Sequence, residues 1–264
     1  MERGLGDMGS GLAVVLFGLM LAAVEAGRQI GRRRLASDRE TFSEGLGAAE
    51  GAIFALLGLL VAFTFSGAAS RFEARRHLIT EEANAMGTAW LRLDVLAEAD
   101  QGPLRELFRR YASLRVAAYQ RVRDEAAAAT TQAATLGLQG EIWRRAMAAV
   151  RSSGTAPGAA QVLLPALNEM FDIVTTRGMA MRNHPPLAIY LLLGVLCVVG
   201  SLLFGYALSP SRNPHWLHRL SFAGITALAI YVILDLEFPR RGLIRIDGED
   251  AVLVELGRTL DARP

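Results

Sequence analysis

The chain carries four long runs in which apolar residues follow one another almost without a charge. They lie at 11–26, 51–70, 186–208 and 220–234; Glu25 is the one charge in the first, and Asp235 closes the last. A helix needs roughly 17–25 apolar residues to cross a bilayer. The second and third runs meet that length outright. The first and fourth reach it when flanking residues such as Arg28 and Trp216 anchor them at the interface. The pattern therefore predicts spans over about 11–27, 51–70, 186–208 and 220–236, and length disfavours the alternative of buried core helices. The first run is not a convincing cleavable signal. It has no basic start beyond Arg3, and Glu25 and an arginine cluster follow it where a small-residue cleavage site belongs.

The order that results is a first hairpin (1–70, with a loop at 27–50), an insert (71–184), a second hairpin (185–238) and a tail (239–264). The insert shows no alternating strand pattern. The expected fold class is all-α: a four-span helical membrane protein with a helical soluble insert between spans 2 and 3. From Gly51 to about Leu96 there is no proline and the glycines are isolated, so the second span continues into the insert as one helix, about 69 Å long at 1.5 Å per residue. Asp100 is the expected N-cap of the next helix and Pro103 suits its first turn. That helix carries Leu104, Leu107, Phe108, Tyr111, Leu114, Ala118 and Val122 on one side and Arg105, Arg109, Arg110 and Arg123 on the other. A further helix is expected over about 140–151, a loop over 152–158, and a last helix from about 159 to Arg182, ended by His184-Pro185-Pro186.

Two stripes run along the long helix. The first is small: Gly51, Ala55, Gly58, Ala62, Ser66, Ala69. Small residues let helix backbones approach closely in lipid, against another span or another subunit. The second is polar: Ser66, Ser70, Glu73, His77, Glu81, Asn84, Thr88. Ser66 joins the two. The opposite face, Phe72, Ile79, Ala83, Met86, Trp90 and Leu93, is the expected core side. A polar face on an amphipathic helix is usually a solvated one. Its alignment with a small-residue membrane seam points further, to a symmetric assembly in which these residues line a water-filled vestibule. Arg71, Arg75 and Arg76 follow the span directly. They are interface anchors, or vestibule charges that attract anions; Arg75 and Glu82 have the plainer alternative of pairing with neighbours. Phe54, Phe63 and Phe65 could close a pore by dewetting or face lipid and neighbouring helices.

Composition sharpens this picture. The 264 residues are 52% hydrophobic and 20% charged, and the mean hydropathy is +0.29. A net charge of +2 gives little support for nucleic-acid binding. All 28 basic residues are arginine. The single cysteine, Cys197, has no internal partner to bridge. His215 and His218 form a His-x-x-His pair with no third ligand nearby, so no metal is expected. Asp235 and Glu237, with Pro239, Arg240 and Arg241, look like a helix end at the headgroups; a buried Glu25–Asp235 pair is the alternative. No phosphate loop, dinucleotide fingerprint, nucleophile elbow or zinc motif is present. No cofactor is expected and an enzyme is the weaker class. The short-loop arginines (28, 32, 33, 34, 39, 212, 219) nearly balance those on the other side (3, 71, 75, 76, 177, 182, 240, 241, 245), so charge alone leaves the orientation open.

The segment from Glu50 to Ala68 and its continuation, Arg71-Phe-Glu-Ala-Arg-Arg-His-Leu-Ile-Thr-Glu-Glu-Ala-Asn-Ala-Met-Gly-Thr-Ala-Trp-Leu-Arg-Leu, resemble the bacterial bestrophin-like family of membrane proteins. Asp235-Leu-Glu-Phe-Pro-Arg-Arg-Gly resembles its C-terminal signature. The resemblance implies distant kinship with bestrophins, pentameric anion channels whose second membrane helix lines the pore and whose helical domain between spans 2 and 3 is cytoplasmic. It implies as partners the lipid bilayer, further copies of the chain and inorganic ions, with the insert on the cytoplasmic side of a bacterial inner membrane. The chain lacks the proline-rich aromatic neck and the acidic calcium clasp, so no pore or calcium residue is carried over. The functional expectation is a homo-oligomeric channel. The competing class is a non-conducting scaffold or sensor whose insert binds a cytosolic partner.

Overall fold

The computed structural model describes residues 9–37, 46–120, 125–211, 216–239, 243, 244, 246, 248 and 250–262. Among the described residues there is no strand. The helices are α1 (Gly9–Ser37), α2 (Leu46–Leu91), α3 (Glu98–Gln120), α4 (Glu125–Ala149), α5 (Ala159–Arg182), α6 (Leu187–Ala207), α7 (Trp216–Glu237) and α8 (Asp250–Ala262), with a 3₁₀ turn at Arg92–Val95 after α2. Among the described residues four helical stretches are long and apolar enough to cross a membrane, and the chain is an all-α, multi-pass membrane protein. It divides into two units. One comprises Met1–Phe72 and His184–Arg245, the other Glu73–Asn183 and Ile246–Pro264.

The membrane unit contains α1, the first part of α2, α6 and α7. Its core gathers Met20, Leu57, Ala68, Leu193, Cys197, Ala223, Ile230 and Ile233. Phe54 of α2 meets Phe222 of α7 edge to face at 5.8 Å. One expectation needs correction here, and one alternative falls away. The loop at 27–50 is shorter than expected, because α1 runs on to Ser37 and α2 begins at Leu46. Arginine is a good helix former, and Gly27 and Gly31 serve as contact surfaces, not as breaks. A Cβ on Gly27 would run into the carbonyl of Leu202, one on Gly205 into the carbonyl of Val24, and one on Gly31 into the side chain of Ser209. α1 and α6 thus touch backbone to backbone, which only glycine permits. Glu25 and Asp235 do not pair. Glu25 accepts from Arg219 at 2.6 Å, and Asp235 accepts from the backbone amides of Leu243 (3.0 Å) and Ile244 (2.8 Å).

The second unit is built on the remainder of α2. Ile79, Ala83, Met86, Trp90 and Leu93 are buried there, with Leu104, Phe108 and Tyr111 of α3, Ile142 of α4, and Leu163, Leu167 and Met170 of α5. Full burial of a side chain of this size contributes roughly 1.5–3 kcal/mol. The α3 guanidiniums of Arg105 and Arg109 each lie 5.5 Å from the Trp90 ring. α3 starts at Glu98, so Asp100 lies within its first turn and is not the N-cap. Leu114 and Ala118 are half-buried and Arg115 is buried; Val122 and Arg123 lie outside the described residues. α4 spans Glu125–Ala149, far longer than the expected 140–151. Its first half is alanine-rich, strong in helix propensity but without amphipathic rhythm. The tail is not a bare tail. α8 buries Leu253 and Leu260, and Arg109 donates to the Leu260 carbonyl at 3.1 Å, where a cation complements a helix C-terminus.

Candidate functional site

Helix α2 presents both stripes on its open side. Gly51, Ala55, Gly58, Ala62 and Ser66 are exposed and Ala69 is half-buried; Ser70, Glu73, His77, Glu81 and Asn84 are exposed and Thr88 is half-buried. No atom lies within 4 Å of a Cβ built on Gly51 or Gly58. The polar residues interact mainly along their own helix. Arg76 reaches Glu73 at 2.9 Å and His77 Nε2 lies 3.0 Å from a Glu81 oxygen. Such i,i+3 and i,i+4 pairs stiffen an exposed helix face only slightly. Of the three phenylalanines, Phe63 and Phe65 are exposed and Phe54 is packed on α7.

In the second unit the polar stripe borders a groove of about 700 Å³. Glu81, Asn84, Ala85 and Thr88 form one wall; Pro165, Asn168, Glu169, Asp172, Ile173 and Thr176 of α5 form the other. Both walls carry carboxylates and the lining contains no cationic side chain. The α5 wall was missed in the sequence. Its signal was present: Asn168, Glu169, Asp172 and Thr176 recur at helical spacing, as the α2 stripe does.

The arginines after the second span have different surroundings. Arg75 is buried, with Nε donating to the Ala180 carbonyl at 3.1 Å and an Nη to the Asn183 carbonyl at 3.0 Å. It satisfies the carbonyl groups that the end of α5 leaves open, so its guanidinium is turned into the unit and not toward a vestibule. Arg71 Nε donates to Glu237 at 2.6 Å, and His184 Nδ1 lies 3.2 Å from the other Glu237 oxygen while its ring stacks on Phe238 at 4.7 Å. The Glu237 carboxylate is fully buried. It therefore ties the end of α7 to Arg71 of α2 and to His184. Arg76 remains on the open face beside Glu73.

A second buried carboxylate was also missed as a pair. Glu82 is fully buried, accepts from Arg115 at 2.6 Å and pairs with Arg177. Arg177, counted among the near-membrane charges, belongs to this cluster. Nearby, Tyr111 bonds Gln139 at 3.1 Å, and burial pushes its hydroxyl up to about 12. Among the described residues no group of histidine, cysteine and carboxylate side chains could hold a metal ion; His215 lies outside them.

The spans, the inward-packed α2 and its open polar edge define a class: a multi-pass helical membrane protein with a helical insert. The bestrophin-like domain family model matches residues 13–251, and the chain belongs to that family. No curated protein and no solved structure matches the chain.

Proposed function

We propose that the chain is one subunit of a homo-oligomeric ion channel in a bacterial inner membrane, with α2 of each copy lining the pore and the insert on the cytoplasmic side. One observation carries this reading. A single 46-residue helix continues from an apolar, span-length stretch into the insert, with its inner face packed and most of its outer face of small and polar residues exposed. The cheapest way to cover the small part in lipid is close packing with another copy, and the polar part then faces water around the shared axis. The family points to anions as the conducted species. A second reading, cation permeation, is favoured by the groove between α2 and α5, because carboxylate rings select cations.

Reconstitution into vesicles tests the proposal. Chloride and sodium fluxes are measured for the natural chain and for Glu73→Gln, His77→Ala and Glu81→Gln. The proposal expects flux in the natural chain and a change in rate or ion preference in the variants. A particle mass equal to one chain in detergent, or flux indifferent to all three substitutions, contradicts it and favours a scaffold or sensor.

A further inference from the structure

The glycine contact between α1 and α6 lies toward one end of both helices. Toward their other ends, Gly9 on α1 and Leu187 on α6, the same two helices leave a groove of about 490 Å³ with α7 as its floor. Leu16 and Leu19 form one wall, Gly194 and Val198 the other, and Ile230 and Ile233 the base. The volume falls within the roughly 300–1,000 Å³ of small-molecule sites. The entire lining consists of leucine, valine, isoleucine, one glycine and one tyrosine. Water is a poor occupant, because a buried water needs two to four polar partners. A helix of a second copy is also a poor fit. Helices pack closely in lipid through small residues, and here the lining offers Gly194 alone among large branched side chains. Val15, Leu19, Leu191 and Val195 are exposed along the rim, so the groove opens on the surface that these spanning helices turn toward the bilayer. We propose that this wedge is a binding site for one acyl chain of a membrane phospholipid, held as a structural lipid distinct from the exchanging annulus.

The inference rests on the membrane helices alone and is independent of conduction. The full chain is reconstituted in vesicles of palmitoyl-oleoyl phosphatidylglycerol and phosphatidylethanolamine, extracted into a steroid-based detergent and exchanged exhaustively. Phospholipid per chain is then counted by native mass measurement. Gly194→Phe and Gly194→Leu fill the groove; a Cβ at Gly194 meets nothing within 4 Å, so the chain has room for either, and helicity by circular dichroism checks the fold. Gly18→Phe, on an exposed part of α1 outside the lining, is the control. The expected result is one phospholipid retained per chain in the natural protein and in Gly18→Phe, falling to background in both Gly194 variants. No retention in the natural chain, equal retention in all variants, or dissociation of an assembly by the Gly194 variants with lipid unchanged would overturn the proposal. The last outcome would assign the groove to a second copy.

Discussion

Gly27 and Gly31 of α1 and Gly51 and Gly58 of α2 stand on membrane helices among apolar neighbours, and they meet different surroundings. The α1 pair is pressed against α6, where any side chain would strike Leu202 or Ser209. The α2 pair faces open space. The same contrast continues in the second unit between two adjacent residues. Glu82 points inward and is enclosed by Arg115 and Arg177, while Glu81 points outward and touches His77 on its own helix. One side of α2 is committed to its own chain. The other carries residue types suited to close contact or to water, most of them exposed and paired, where paired, along α2 itself.

This contrast can be broken most severely at Glu82. Removing one partner of a buried ionic cluster leaves uncompensated charge, at a cost of about 3–5 kcal/mol. Glu82→Ala should therefore unfold the second unit early in a denaturant titration. Glu81→Ala should stay within about 0.5 kcal/mol of the natural chain, as exposed substitutions usually do. Equal losses at the two positions would erase the distinction between faces.

The glycines give the next effect. Gly27→Ala and Gly205→Ala should each lower thermal stability, by about 1–3 kcal/mol, because the added methyl has no space to occupy. Gly51→Ala and Gly58→Ala should have the opposite sign in detergent-isolated single chains. There they gain about 0.5–1 kcal/mol from the lost backbone entropy of glycine. Gly58→Leu should leave the single chain folded and reduce the fraction assembled, read by particle mass.

The smallest effect is a pH dependence. The folded Tyr111 hydroxyl is raised to about 12 from an ordinary value near 10. The unfolded chain releases this proton first, so stability is full below pH 10 and declines between about pH 10 and 12. Tyr111→Phe should remove that portion of the alkaline decline in a melting series, against a background from other groups.

What could be read from the sequence follows the range of the physics involved. The spans and the inward face of α2 are local periodicities, and Ile79, Met86, Trp90 and Leu93 lie where their spacing placed them. The end of α1 was misread because the apolar run stops at Ala26, whereas the helix continues through the arginine cluster to Ser37. α4 escaped because an alanine-rich stretch has high propensity and no pattern of sides. The carboxylate anchors were not legible as pairs. Glu82 finds Arg115 and Arg177 at separations of 33 and 95 residues, and Arg71 finds Glu237 at 166. Their charge suggested surface, and only the folded chain supplies the partners that make burial tolerable. The α2 stripe was fully legible as a pattern. Its companion on α5 had the same spacing and went unread because no membrane seam drew attention to it.

The most direct measurement of the central claim, that the open edge of α2 surrounds a conducting path, is thiol accessibility during ion flux. Cys197 is buried in the membrane unit and gives little background. A charged, water-borne thiol reagent is applied to vesicles containing Ser66→Cys, Ser70→Cys or, as an outward-facing control on α1, Val14→Cys. The account predicts that the reagent blocks flux through the two α2 variants and leaves the Val14→Cys channel conducting. Unaltered flux through Ser66→Cys and Ser70→Cys, or block at Val14→Cys alone, would contradict it.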